Sequence, residues 1–222
     1  MKKIILFILF IFLLVVFPVA FVILKNNNNF TIPKNEQIYM VLDKDMGSIY
    51  PPNAHFASMV EGQKIEFDTN QLGFKDKQRS FENNDRNKRV VVLGDSFVAA
   101  TQVKTQEAFP AILESLINKK RGNSYDVINL GMSGWSIDQY YYTYHKYAKK
   151  YKPDIVIVTV LLQNDIYANS EYLSDLFFGY HVSKPYFIYK EYPDKPGERI
   201  LTSYYPYKNK VVFSLEQDEA IK

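Results

Sequence analysis

Acyl transfer needs a nucleophile and hydrogen-bond donors, and three positions of this chain are of the kinds that supply them. Ser96, in Arg89-Val90-Val91-Val92-Leu93-Gly94-Asp95-Ser96-Phe97, offers a hydroxyl. Gly131, in Asn129-Leu130-Gly131-Met132-Ser133-Gly134, offers a backbone N–H with no side chain to keep a substrate away. Asn164, in Gln163-Asn164-Asp165, offers a carboxamide N–H. When a serine attacks an ester carbonyl, negative charge grows on the carbonyl oxygen, and donors aimed at that oxygen lower the barrier. Asp95 and Asp165 flank two of these groups and read as loop holders that accept backbone N–H bonds, not as bases. The plainer reading of Asp95-Ser96 is the capping of a helix that follows a strand.

The elements that must carry these groups follow an α/β rhythm. Val90 to Leu93 is a continuous apolar run, the pattern of an inner strand of a parallel sheet. Phe109 to Ile117 has helical spacing, with Pro110 acceptable in the first turn, and Lys119 to Asn123 closes it. Tyr125 to Leu130 is a second strand. Ile137, Tyr141, Tyr144, Ala148 and Tyr151 recur on one face of a helix that Pro153 stops. Asp154 to Leu162 is a third strand, a continuous apolar run from Ile155 but for Thr159, and so expected to be covered on both sides. Strand, helix, strand, helix, strand predicts a parallel sheet with helices on both faces, all three candidate groups leaving at the strands' carboxyl ends.

The chain of 222 residues has no cysteine, which excludes disulfides, a thiol nucleophile and a thiol-linked lipid. Its net charge of +3 is local. Lys2, Lys3 and Lys25 are the only charges in residues 1–25, leaving 24 basic against 24 acidic residues elsewhere, so nucleic acid is not an expected partner. Ile4 to Leu24 is an apolar run of bilayer-spanning length, and the lysines before it predict a cytoplasmic N-terminus with the remainder extracytoplasmic. A cleaved signal peptide is the competing reading; the length of the run and the lack of an Ala-x-Ala site favour a single-pass signal-anchor. The organisation read from this is an anchor at 1–25, a linker at 26–38, a β-rich preface at 39–88 and the α/β domain at 89–222. Lys64 to Asp68 alternates as a half-buried strand does, and Ser80 to Lys88 reads as a polar surface connection.

Gly94-Asp95-Ser96-Phe97, the glycine at 131 and Asn164-Asp165 resemble, in order, the first three sequence blocks of the SGNH (GDSL-type) hydrolases. Asp45-Met46-Gly47 through Asn70-Gln71-Leu72-Gly73-Phe74-Lys75-Asp76 resembles the preface of membrane-anchored members. The resemblance implies a flavodoxin-like three-layer α/β/α fold. It also implies a serine esterase in which Ser96 is the nucleophile. Its own N–H, that of Gly131 and the Asn164 side chain would be the oxyanion donors. It implies no cofactor and no metal, and the residues themselves offer no metal-ligand cluster. Two departures stand out: Leu162 replaces the usual glycine of the third block, and no Asp-x-x-His occurs anywhere. His55, His145 and His181 are the only histidines, and His181 is the one expected near the active face. The resemblance then implies a chain cut before its base, with an insertion at about 166–213. An oxyanion site lacking its base keeps only about 10³–10⁴-fold acceleration over water, so weak or no turnover is expected. The expected substrates are acyl esters, O-acetyl groups on envelope glycans foremost. The alternatives are a glycan O-acyltransferase of the same fold and a non-catalytic envelope glycan-binding protein.

Overall fold

Two short antiparallel hairpins come first. β1 (Val41–Asp43) pairs with β2 (Gly47–Ile49), and Asp43 Oδ1 accepts the N–H groups of Asp45 and Met46 in the turn between them. β3 (His55–Val60) pairs with β4 (Gln63–Asp68) through a two-residue turn. Glu61 and Gly62 both have positive φ there, the twist that two-residue hairpins prefer. In β4, Ile65 and Phe67 turn inward while Glu66 faces solvent, the expected alternation. This computed structural model describes residues 34–43, 45–122, 124–178, 184–192 and 195–204. The apolar run 4–24 and His181 lie outside them, and among the described residues no helix is long and apolar enough to cross a membrane. The chain divides into two units, Met1–Lys34 and Asn35–Lys222, and the hairpins belong to the second together with the sheet and helices that follow them.

The α/β part has a three-stranded parallel sheet. β5 (Lys88–Gly94) lies in the middle, β6 (Tyr125–Gly131) on one side and β7 (Ile155–Val158) on the other. Around it run α1 (Ser96–Ala99), α2 (Phe109–Arg121), α3 (Ile137–Lys146), α4 (Leu162–Ala168) and α5 (Glu171–Phe178). An antiparallel hairpin of β8 (Tyr186–Tyr192) and β9 (Lys195–Tyr204) follows. Successive side chains of a strand point to opposite faces, and β5 buries both. Val91 and Leu93 join Ile128 and Leu130 of β6 in a core completed by Met46, Tyr50, Phe56, Phe67, Phe74 and Trp135. Val90, Val92 and Val127 pack with Val98 of α1, and Leu113 of α2 lies against them. The hairpin region thus supplies one wall of the same core.

The polar stretch before β5 is tied down by a residue of that strand. Arg89 is buried, and its guanidinium donates to the carbonyls of Ser80, Phe81, Glu82 and Tyr151.

Two expectations need correction. The third strand is four residues long, not nine, and it is not covered on both sides: Ile155 and Val158 are each 50% exposed. The order β6-β5-β7 leaves it at the sheet edge, and Leu162 already belongs to α4. The amphipathic face of α3 is also different. Ala148 and Tyr151 are buried as expected, in a 3-10 turn that follows the helix, but Ile137 and Tyr141 are exposed, whereas Asp138, Gln139, Tyr140 and Thr143 are buried. Polar side chains win these inner positions because each finds a partner there. Gln139 Nε2 donates to the Met46 carbonyl at 2.7 Å, and Thr143 Oγ1 to the Gln139 carbonyl at 2.8 Å.

Phe74 is fully buried between Trp135 and Tyr147, with ring centroids at 5.9 and 5.7 Å. Phe74→Ala is expected to cost about 3–5 kcal/mol, the usual range for deleting a buried aromatic ring. Urea denaturation measures it, and a loss under about 1 kcal/mol would mean that the preface is not part of the core.

Candidate active site

Ser96 opens a helix of only four residues, too short to hold itself together. Its surroundings hold it instead. Asp95 caps it, Oδ1 accepting the Phe97 N–H at 3.0 Å. The far end turns at Ala100, whose φ of 51° is left-handed. There the buried Lys75 ammonium donates to the carbonyls of Ala100 and Val103, and Ser58 Oγ donates to the Thr101 carbonyl at 3.0 Å. A cation at the carboxyl end of a helix is also favoured by the helix dipole. Burial pulls the Lys75 ammonium down to about 8.

The floor under α1 is built for close approach. A side chain at Gly131 would meet Val98 Cγ1 at 2.5 Å and the Ala99 backbone nitrogen at 2.6 Å. Asn129, two residues earlier in β6, has its carboxamide fully used: Nδ2 donates to the carbonyls of Lys75 (3.1 Å) and Val98 (3.0 Å). Its Oδ1 accepts the Gly131 N–H at 2.9 Å. The Asn129 N–H in turn donates to Asp76 Oδ2 at 3.0 Å. Gly131 is therefore buried with its amide already engaged, and its lack of a side chain serves packing against the serine helix. Gly134, which the residue types alone did not single out, is exposed at a φ of 77°, and its N–H has no partner among the described residues. The signal was available in the second glycine of Gly131-Met132-Ser133-Gly134.

The loop bearing Gly134 is fixed by the preface. Tyr50 Oη donates to Ser133 Oγ at 2.6 Å and Trp135 Nε1 to the Ser48 carbonyl at 2.8 Å. On the other side of β5, Thr159 N–H donates to the Leu93 carbonyl at 3.0 Å, and the chain then enters α4. Asn164 lies in the first turn of that helix instead of at a strand end. Asp165, next to it, is fully buried, with Oδ2 accepting from the Leu161 N–H and Tyr140 Oη, each at 3.0 Å. Burial raises the pKa of Asp165; burial and then the Asp165 charge raise that of Tyr140. Neither Ser96 Oγ nor the Asn164 carboxamide is hydrogen-bonded among the described residues, and both residues are part-exposed.

Strands β6, β5 and β7 are second, first and third in the chain order of this sheet. The connection from β5 therefore runs to one side and the connection from β6 runs back across β5 to the other, so the order reverses between β5 and β7, beyond their carboxyl ends. Open α/β sheets bind ligands at such a point. Ser96 follows one of these strands and Asn164 the other.

The two described histidines, His55 and His145, are elsewhere. His55 Nδ1 is 2.7 Å from Asp68 Oδ1 on the β3–β4 hairpin, and that bond raises its pKa. His145 stacks on Tyr141 with ring centroids 4.3 Å apart. Among the described residues, folding does gather one set of potential metal ligands that the sequence did not suggest, Glu36, His55 and Glu66. The Lys64 ammonium lies 2.7 Å from Glu36 and 2.6 Å from Glu66, so an internal cation already occupies that position. Compared with protein-family models and with curated proteins, the chain matches none.

Truncating Asn129 leaves two carbonyls and the Gly131 N–H without partners in a buried place. Asn129→Ala is expected to cost about 3 kcal/mol or more in urea denaturation, since each orphaned group costs about 1–3 kcal/mol. A near-neutral result would show that the carboxamide does not hold the serine helix.

Proposed function

We propose that this domain transfers acyl groups through Ser96, as a serine esterase of the SGNH type acting on acyl esters. O-acetyl groups on envelope glycans are the substrate class. The carrying observation is the placement of Ser96: a part-exposed serine at the first position of a helix, on one side of the sheet's switch point, its hydroxyl unpartnered among the described residues. The strand order second-first-third is the beginning of the flavodoxin-like order, which supports the finer three-layer α/β/α reading. Ser96 Oγ attacks the ester carbonyl and the alcohol leaves. The acyl group then passes to water, or to a sugar hydroxyl if the protein is a transferase. The Asn164 carboxamide and the Gly134 N–H, both unpartnered among the described residues, are the donors proposed for the oxyanion, together with the backbone at the start of α1; Gly131 supports from beneath. The apolar run 4–24 anchors the domain outside the cytoplasmic membrane in this reading, and neither cofactor nor nucleic acid takes part.

A binding-only role for glycan is the second reading. It is favoured by one observation: no histidine among the described residues is hydrogen-bonded to Ser96.

The test is acylation by p-nitrophenyl acetate, followed by mass spectrometry of the Ser96 peptide. Slow acetylation of Ser96 that Ser96→Ala removes is expected, with Asn164→Ala lowering the rate about 10²–10³-fold, as loss of an oxyanion donor does. Release of p-nitrophenol at an equal rate from Ser96→Ala protein would leave the binding reading standing.

A further inference from the structure

Among the described residues the parallel sheet stops at β7, which has one strand neighbour, β5, and no strand along its other edge. Asp154 gives its N–H to the Arg89 carbonyl, so alternation along the strand turns the backbone groups of Ile155 and Ile157 toward the open edge. Groups so placed are a template for another strand, and proteins usually blunt such an edge with lysine, proline or a bulge. Here those guards are missing. From Ile155 to Asn164 there is no charged residue and no proline, and the register of β7 with β5 runs without a shift.

The side chains make the same offer. Ile155, Val156, Val158, Val160, Leu161 and Leu162 are exposed by 37–71%, and Ile166, one turn after Leu162, by 48%. They follow one another along one strand and into α4, so they form one patch along the open edge. Apolar patches of this kind mark association surfaces.

A second copy of this chain is the occupant that fits. Two copies related by a twofold axis present the same surface to each other, so their β7 edges meet antiparallel. Such a meeting needs a strand that matches its own reverse. Ile155-Val156-Ile157-Val158 does, because every position is apolar and β-branched, and any antiparallel register sets such side chains opposite each other on both faces. Charge does not oppose the contact: Asp154 is held by the Arg89 N–H at 2.8 Å and by Lys88 at 3.4 Å, and Asp165 is buried. The seven exposed side chains offer roughly 600 Å² per copy, and pairing covers strand backbone as well, which approaches the about 800 Å² that each partner of a standard interface buries.

We propose that this protein pairs with a second copy of itself through β7, the two three-stranded sheets joining edge to edge and antiparallel. Pairing needs nothing from the acyl-transfer reading, and its readouts need no substrate.

The chain has no cysteine, so introduced single cysteines report contacts without background. Under mild oxidation of the full chain in detergent, at least one of Ile155→Cys, Val156→Cys and Val158→Cys should give a disulfide-linked dimer. Ile112→Cys, at an exposed position of α2, should stay monomeric at the same concentration and controls for association through other parts of the chain. A lysine on the edge, Val158→Lys, should lower the dimer yield of the linking Ile155→Cys or Val156→Cys chain about tenfold or more. The wild-type chain supplies a second readout that needs no substitution: hydrogen exchange at the Ile155 and Ile157 amides should slow as protein concentration rises. Links no more frequent than those of Ile112→Cys overturn the proposal, as does exchange that is independent of concentration. A monomer in which Val156→Cys is shielded from maleimide also overturns it, since the edge would then be covered by the same chain. Failure of the acetylation experiment at Ser96 would leave these results unchanged, so the two readings fail separately.

Discussion

Everything at the serine end of the sheet depends on one side chain, the carboxamide of Asn129. It reaches from the middle of β6 to the carbonyl of Val98 in the serine helix, to the carbonyl of Lys75 in the preface and to the N–H of Gly131. A buried amide can make few bonds, and in this junction each one joins a different piece of chain. A four-residue helix has almost no stability of its own, so its position is set by such contacts and by Lys75 at its far end. Precise placement of Ser96 on so short a helix therefore requires the polar junction below it to be fully satisfied, since a half-satisfied one is worse than none.

The sheet is largely legible in the sequence. Val90 to Leu93 and Tyr125 to Leu130 announce their strands through apolar, partly β-branched runs bounded by turn residues, and the structure extends them only to Lys88–Gly94 and Tyr125–Gly131. The third strand misleads because an apolar run says that a segment is suited to burial, not that it is buried. Its extent is overrun because helix and strand both accept Val-Leu-Leu, and only tertiary context divides them at Leu162. The face of α3 misleads for a related reason. Periodicity counts apolar residues, but Gln139 and Thr143 hold inner positions through hydrogen bonds to partners far away or one turn back.

The candidate site is legible as a set of residue types and less so as a geometry. Glycine at 131 looks like a donor because glycine permits close approach, and close approach is indeed its role, but the visitor is Val98 and not a substrate. The distinction lies in the side chain of Asn129, whose bond to the Gly131 N–H no spacing rule foretells. The buried pair of Lys184 with Asp138, at 2.7 Å, is equally hidden, because Lys184 comes from a stretch with no recognisable pattern.

The hairpin region also fixes where this protein can be divided. A cut just before β5 would look natural in the sequence, yet it would remove Phe56, Phe67 and Phe74 from the core and Lys75 and Asp76 from the junction. What remained would expose the inner face of Val91 and Leu93 and release the serine helix at both its floor and its tail. The smallest portable piece that retains the serine's setting therefore begins upstream of Met46. Grafts, chimeras and recombination events that respect that boundary carry the site with them, and those that split it do not.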